Sequence, residues 1–134
     1  MEEKLEMLAE EIKLASKVRE NAYIKYCNYS VGSCLTTKSG KRYLGCNVQN
    51  HGIQSICSER CAFCKAISEG EKEFDHIMIV GGPGGKEAEK TLPCGYCRQF
   101  MSEFVDKSFK VYTSYGDTIE EYTMEELLPH SFDL

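Results

Sequence analysis

The sequence predicts an α/β fold, a three-layer α/β/α sandwich with a mixed sheet of about five strands. Segments with apolar residues at helical steps of three or four alternate along the chain with short apolar or β-branched runs. Helices that alternate with strands in one chain usually cover the faces of a layered sheet. The length of 134 residues is typical of one domain with its own core. We therefore expect residues 1–134 to form a single domain.

The first half of the chain begins with an amphipathic helix from residue 4 to about residue 22, whose polar face is expected to be solvated. Val31 to Thr37 is then predicted as a strand, and Arg42 to Val48 as a second strand. The turn signal Ser39-Gly40-Lys41 between them indicates a β-hairpin. The apolar stripe of the helix consists of Leu5, Leu8, Ile12, Ala15, Val18 and Ala22.

The second half of the chain continues the alternation. A helix from Ser58 to about Ser68 precedes a strand whose continuous apolar run is typical of the centre of a sheet. A glycine-rich loop is expected from Gly81 to Leu92. The other predicted elements are a strand from Phe74 to Val80, a helix from Gly95 to Val105, a strand from Phe109 to Tyr115, an edge strand from Thr118 to Thr123 and a short helix from Met124 to Leu128.

Charge and hydropathy favour a small-molecule partner. The net charge is −5 and the basic residues are scattered, whereas proteins that bind polynucleotides usually have a basic patch. No nucleic-acid partner is therefore expected. No apolar run approaches the ~20 residues of a membrane span, and the charged start Met1-Glu2-Glu3-Lys4 does not resemble a secretory signal peptide. We expect a cytoplasmic protein with no membrane partner.

Eight cysteines in such a chain indicate metal ligation, catalysis or buried reduced thiols. Cys94 and Cys97 have the two-residue gap that lets two thiolates bind one ion, and Cys57 could supply a third ligand. Cys57 and Cys94 stand at predicted helix starts, where free N–H groups and the helix dipole favour thiolate. Three protein ligands leave one position open for water, which is the pattern of a catalytic zinc site.

A closed, structural zinc site is the alternative. Cys61 and Cys64 also have the two-residue gap, and together with Cys94 and Cys97 they could form a four-cysteine site. Against this alternative, Cys61 and Cys64 lie inside a helical pattern, and the interval from them to Cys94 is long for a zinc ribbon.

Two charged side chains complete the sequence Cys57-Ser58-Glu59-Arg60. A glutamate in the first turn of a helix is often only a surface charge that interacts with the helix dipole. Two residues after a metal ligand, Glu59 can instead take a proton from a zinc-bound water and deliver it to a leaving nitrogen. Arg60 could donate hydrogen bonds to sulfur and offset the negative charge of the thiolates.

These motifs resemble those of a known family. The sequence Cys57-Ser58-Glu59-Arg60, together with Pro93-Cys94-Gly95-Tyr96-Cys97-Arg98-Gln99, is similar to the zinc-dependent cytidine deaminases of the small, homotetrameric type. The resemblance covers nearly the whole chain and implies a cytidine deaminase-like fold. Four further patches match in the same order, and they are Tyr23 to Gly32, Gly45 to Val48, Ala66 to Gly70 and Glu126 to Phe132.

The resemblance implies a zinc centre and a reaction. Cys57, Cys94 and Cys97 would bind one Zn²⁺ per chain, with Arg60 beside them. Zinc-bound hydroxide would attack C4 of cytosine with Glu59 as the proton shuttle, so that cytidine or deoxycytidine gives uridine or deoxyuridine and ammonia. Such an enzyme would serve pyrimidine salvage.

The resemblance also implies the substrate contacts. Asn47 would hydrogen-bond the ribose, Gln49 would face the sugar, and Tyr29 and Ser58 would lie close to the nucleoside. Phe132 would be contributed by a neighbouring subunit over the base, which implies a homotetramer with pockets completed by neighbours. An ordinary C-terminal core anchor is the alternative for Phe132.

The chain departs from the family pattern on the ribose side. The family usually has a glutamate where this chain has Gln49, and the stretch from Gln49 to Cys57 is one residue shorter than usual, with His51-Gly52 where a tyrosine is common. The related blasticidin-S deaminases also vary here. A deaminase of a modified cytosine nucleoside is therefore one alternative, and a non-catalytic zinc-stabilised domain that binds nucleosides is another.

Overall fold

The computed structural model describes residues 1–52 and 54–132. Within them the chain forms four helices and five strands, and two pairs of strands follow each other directly. The elements are α1 (Glu2–Arg19), β1 (Tyr29–Thr37), β2 (Arg42–Cys46), α2 (Ser58–Ser68), β3 (Phe74–Pro83), α3 (Gly95–Ser102), β4 (Lys110–Tyr115), β5 (Thr118–Thr123) and α4 (Met124–Leu127).

The five strands form one mixed sheet in the order β2-β1-β3-β4-β5. β3 and β4 run parallel, and the other three neighbouring pairs are antiparallel. The predicted β1–β2 hairpin is present, with Ser33 opposite Gly45. The parallel pair is joined by a crossover that contains α3, as parallel neighbours require. The predicted sheet of five strands is confirmed.

The central strand β3 shows why helices cover both faces of the sheet. Its side chains alternate, so Ile77 and Ile79 pack on one face and Met78 and Val80 on the other. The face of Met78 is covered by α1 through residues such as Leu8. The opposite face is covered by α2, α3 and α4, whose core residues include Phe63, Met101 and Leu127. This arrangement is the predicted three-layer α/β/α sandwich.

Several element boundaries differ from prediction: β1 begins at Tyr29 rather than Val31, β2 ends at Cys46 rather than Val48, and α3 ends at Ser102 rather than Val105. Two further differences reflect tertiary contacts. β3 extends to Pro83 rather than ending at Val80, since Val31 and Ser30 of β1 pair with Gly81 and Gly82. α1 ends at Arg19 instead of about residue 22. The guanidinium of Arg19 donates to the carbonyl oxygens of Ser30 and Pro83 at 3.0 and 2.9 Å, so the helix end is bound to the start of β1 and the end of β3.

The sequence predicted a solvated polar face for α1, but in the structure this face is partly buried. Glu11 is fully buried, and its carboxylate accepts hydrogen bonds from Thr36 at 3.2 Å and Arg42 at 3.4 Å. Its other oxygen lies 2.7 Å from Nε2 of His76, whose Nδ1 lies 2.7 Å from Asp75. A buried carboxylate requires such partners. This polar network joins α1 to three strands.

The N-terminal end of α1 also differs from its predicted stripe. Leu5 is 55% exposed, whereas Leu8 and Ala15 are buried against the sheet.

Among the described residues, no helix combines the length and apolar character needed to cross a bilayer.

Candidate active site

Two helix starts meet on the α2–α3 face of the sheet. Cys57 and Cys94 are the N-caps of α2 and α3, and both have extended backbone conformations. Cys97 lies in the first turn of α3. α2 packs so closely on β2 that a Cβ atom on Gly45 would collide with the carbonyl oxygen of Ser58. A glycine at this position lets the start of α2 approach the sheet.

The three sulfur atoms fit a zinc ion. The Sγ atoms of Cys57, Cys94 and Cys97 all lie within 4.8 Å of one another. The Cys57–Cys94 separation is 3.8 Å and the Cys94–Cys97 separation is 3.6 Å. Two sulfurs bound at about 2.3 Å to a tetrahedral zinc lie about 3.8 Å apart. Neither Cys61 nor Cys64 belongs to this cluster, and Cys64 is exposed. The described residues thus favour the open three-cysteine site over the closed four-cysteine alternative.

The protonation of the cysteines also suits a metal site. A hydrogen bond from Cys97 is the main reason that the pKa of Cys57 falls to about 5, and hydrogen bonds from Arg60 and Cys94 add to this effect against the opposing effect of burial. The same contact with Cys57 raises the pKa of Cys97. The pair therefore shares one proton, and a dication that displaced this proton would hold both sulfurs as thiolates.

Arg60 lies beside the sulfur atoms. Burial lowers its pKa, but hydrogen bonds to Cys57 and Cys97 outweigh burial and raise it, so the guanidinium stays charged. Its Nη2 lies 3.6 Å from Sγ of Cys57. The guanidinium carbon lies 4.2 Å from the ring centroid of Tyr96, within cation–π range. Arg60 therefore places a positive charge beside the sulfur of Cys57 and in contact with an aromatic ring.

Glu59 is buried in the first turn of α2, with 4% of its surface exposed. Burial is the main reason that its pKa is raised, because it penalises the ionised form. Its Oε1 accepts a hydrogen bond of 2.7 Å from the hydroxyl of Ser58. The Ser58 hydroxyl also lies 2.6 Å from that of Ser33. Because this hydroxyl is already engaged, the predicted contact between Ser58 and substrate would use the backbone groups of Ser58.

The residues predicted for the ribose side gather where β1 begins and β2 ends. The carboxamide of Asn47 accepts from the backbone N–H of Val31 and donates to the carbonyl of Tyr29, both at 2.8 Å. The hydroxyl of Tyr29 lies 2.8 Å from that of Thr91. Gln49 accepts from the backbone N–H of residue 27 at 3.2 Å. These contacts order the segment, and the predicted roles in substrate binding stay predictions.

Phe132 lies at the other end of α3 from the cysteines. It is 68% exposed and lines a surface cavity of about 320 Å³ with residues that include Ser102 and Met124. Since Ser102 ends α3 and Cys94 precedes its start, Phe132 is not placed over the cysteine cluster of its own chain.

Comparison with known proteins decides the family. The chain matches the model for the cytidine and deoxycytidylate deaminase zinc-binding region over residues 6–113. It belongs to that family. The matched span contains Cys57, Glu59, Cys94 and Cys97. The family predicted from the motifs, and the zinc dependence predicted with it, are confirmed.

Similar proteins agree with this deaminase family. A cytidine deaminase of Sporosarcina psychrophila is 39% identical over 120 residues, which cover 88% of this chain and 85% of the relative. A blasticidin-S deaminase of Bacillus cereus is 30% identical over 106 residues, 75% of each chain. The crystal structure of a cytidine deaminase from Burkholderia pseudomallei has a TM-score of 0.82 at 33% identity, and the alignment covers 92% of this chain and 98% of that chain. The predicted fold and enzyme class are confirmed.

Sequence reasoning about this deaminase missed two residues at the site. Tyr96, between the ligand candidates Cys94 and Cys97, contacts Arg60, and an aromatic residue inside such a gap was a signal that could have found it. Ser33 contacts Ser58 and carried no local signal, since the two residues are 25 positions apart.

Proposed function

We propose that this protein hydrolyses cytidine or deoxycytidine to uridine or deoxyuridine and ammonia. One observation carries the proposal, which is the cluster of Cys57, Cys94 and Cys97 sulfurs within 4.8 Å of one another, with the buried carboxyl group of Glu59 two residues after the first of them. The family match and the cytidine deaminase relatives support the substrate class.

In this proposal the three cysteines bind one Zn²⁺ as thiolates. They lie at two helix N-termini, where N–H groups and helix dipoles stabilise negative charge. Bound there, zinc supplies an activated water for attack on C4 of the cytosine ring. Three thiolates on a dication would leave the site negative, which would oppose ionisation of a bound water. Arg60 offsets this charge through its hydrogen bond to Cys57.

Glu59 moves the protons of the reaction. Water adds at C4, the bond from C4 to the amino nitrogen breaks, and ammonia leaves. The water gives up two protons, of which one ends on N3 of the ring and one on the ammonia. Glu59 accepts these protons and delivers them, so its carboxylate is regenerated in each turnover. A carboxyl group whose pKa is raised by burial suits this work because it accepts a proton more readily than an exposed carboxylate does.

Asn47, Gln49 and Tyr29 are proposed to line the sugar side of the pocket. The Asn47 carboxamide has one N–H and one lone pair beyond its two bonds to β1, and these are suited to a ribose hydroxyl. Its bonds to the backbone also fix its direction. Ser58 would contribute backbone groups near the base.

A deaminase of a modified cytosine nucleoside is the second candidate. It is favoured by the likeness to a blasticidin-S deaminase and by Gln49, whose carboxamide is neutral and already engaged with Cys27. Turnover of cytidine, deoxycytidine and blasticidin S, followed by ultraviolet absorbance, separates the two candidates. Faster turnover of blasticidin S would favour the second.

The assembly proposed is a homotetramer in which a neighbour's Phe132 closes each pocket. The exposure of Phe132 and its distance along α3 from its own cysteines support this arrangement. Light scattering on the purified protein measures the assembly, and a monomer with full activity would contradict it. A role in pyrimidine salvage in the cytoplasm is proposed with it.

Replacement of Glu59 by glutamine tests the function. The amide cannot accept the proton, so we expect turnover of cytidine to fall by at least roughly 10²-fold, while zinc content stays at one ion per chain. Turnover that survives in the Glu59→Gln variant would refute the proposed mechanism. A wild-type protein with bound zinc that deaminates no cytosine nucleoside would refute the proposed function.

A further inference from the structure

A line of buried hydroxyl groups connects the sheet to Glu59. The hydroxyl oxygens of Ser33 in β1 and Ser58 in α2 are 2.6 Å apart. The Ser58 hydroxyl lies 2.7 Å from Oε1 of Glu59. Ser33 and Ser58 are fully buried, and Glu59 nearly so.

The direction of the hydrogen bonds in this line follows from their chemistry. An ionised carboxylate only accepts hydrogen bonds, so the Ser58 hydroxyl donates to Glu59. A hydroxyl has one hydrogen, and that of Ser58 is then used. The Ser33 hydroxyl must therefore donate to Ser58. Each bond polarises the next, which strengthens the bond that reaches the carboxylate.

Ser33 is a rigid anchor for this line. It lies in β1, which has a strand on each side, and it pairs with Gly45 of β2 and Ile79 of β3. A glutamate side chain has several rotatable bonds and loses much rotamer freedom when it is ordered. A hydrogen bond from an interior strand limits that freedom before substrate arrives.

We propose that Ser33 and Ser58 are positioning residues that hold Oε1 of Glu59 and leave Oε2 as the oxygen that exchanges protons with the reactants. Among the described residues, the hydroxyl of Ser58 donates to Oε1, no other side chain donates to the carboxylate, and a hydrogen bond from the backbone of Glu59 itself also reaches it. This inference rests on the proposed function of Glu59. It assigns a role to Ser33, which does not contact substrate and acts only through Ser58.

The test compares Ser33→Ala with Thr36→Val. Thr36 is a matched control, because it is also a buried hydroxyl of β1 that donates to a buried carboxylate, Glu11, in a network apart from the cysteine cluster. In Ser33→Ala we expect kcat for cytidine to fall roughly tenfold, since hydrogen bonds to ionised groups are strong. KM, zinc content and uridine binding by calorimetry should stay within about twofold of wild type. Thr36→Val should lower thermal stability and leave kcat unchanged.

Ser58→Ala and the double variant Ser33→Ala/Ser58→Ala test whether the hydroxyls act as one line. The double variant should have the same kcat as Ser58→Ala, because Ser33 has no route to Glu59 once the Ser58 hydroxyl is gone. Multiplicative losses would overturn the inference. So would loss of zinc in Ser33→Ala, or a kcat for Ser33→Ala equal to that of Thr36→Val. Absence of activity in the wild-type protein would instead refute the proposed function.

Discussion

The guanidinium carbon of Arg60 lies 4.2 Å from the ring centroid of Tyr96. Nη2 of the same guanidinium lies 3.6 Å from Sγ of Cys57. Its Nε is buried without a hydrogen-bond partner among the described residues. The aromatic face therefore contributes to the position of a cation that is incompletely hydrogen-bonded. Tyr96 thus lies next to the cysteine cluster through its contact with Arg60.

Replacement of Tyr96 by alanine should loosen Arg60 and weaken zinc retention. A cation–π contact at an exposed ring is worth about 0.5–1 kcal/mol, so we expect zinc to be lost to a chromogenic chelator about two- to fivefold faster. Tyr96→Phe is the matched control, because it keeps the aromatic face and removes only the hydroxyl. Equal rates for the two variants would show that the ring does not support the site.

Replacement of Cys57, but not of Cys61, should remove the metal. Cys57 is within the three-sulfur cluster and Cys61 is outside it, one helical turn further along α2. We expect wild type and Cys61→Ala to contain one zinc per chain and Cys57→Ala to contain much less, as measured by mass spectrometry of the purified proteins. Zinc retained in Cys57→Ala and lost in Cys61→Ala would revive the closed four-cysteine site.

Replacement of Gln49 by glutamate should improve binding of cytidine. A carboxylate accepts a hydrogen bond from a sugar hydroxyl more strongly than an amide does, a difference on the order of 1 kcal/mol. We expect KM for cytidine to fall about fivefold with little change in kcat. The Gln49 side chain is also hydrogen-bonded to Cys27. Cys27→Ala therefore serves as the control for release of the Gln49 side chain from the sulfur. An unchanged KM in Gln49→Glu would place residue 49 away from the sugar.

The buried pair of Glu11 and His76 should make stability depend on pH. Burial lowers the pKa of His76, but hydrogen bonds to Glu11 and Asp75 outweigh it, and the net shift is upward from 6.5. Arg42 and Thr36 face the same carboxylate. A raised pKa in the folded state means that the stabilisation is complete below about pH 6.5 and is lost as pH rises through the folded-state value.

Thermal unfolding of wild type and His76→Gln across pH 5.5 to about 9 measures this contribution. We expect the difference in Tm between them to be largest at the acidic end and to shrink as pH rises. A difference that is constant with pH, or that grows towards alkaline pH, would contradict a protonated His76 in the folded protein.

Much of the site could be predicted because its signals are local. Cys94 and Cys97 are one turn apart, Glu59 follows Cys57 by two residues, and each group begins a helix. The strands could be predicted from apolar runs, and the five-stranded sheet and both helical layers are as expected. Backbone geometry within a few residues determines such features, so they can be predicted from the spacing of residues in the sequence.

The sequence by itself determined the family, the cysteine cluster and the layered fold, since these depend on short-range spacing and on the alternation of apolar segments. Only the tertiary structure decided which polar groups meet inside the protein. Ser33 reaches Ser58, and Glu11 reaches His76 across 65 positions. A buried hydroxyl or carboxylate needs a partner, but its identity depends on strand register and helix placement. Neither follows from the residues adjacent to it in the chain.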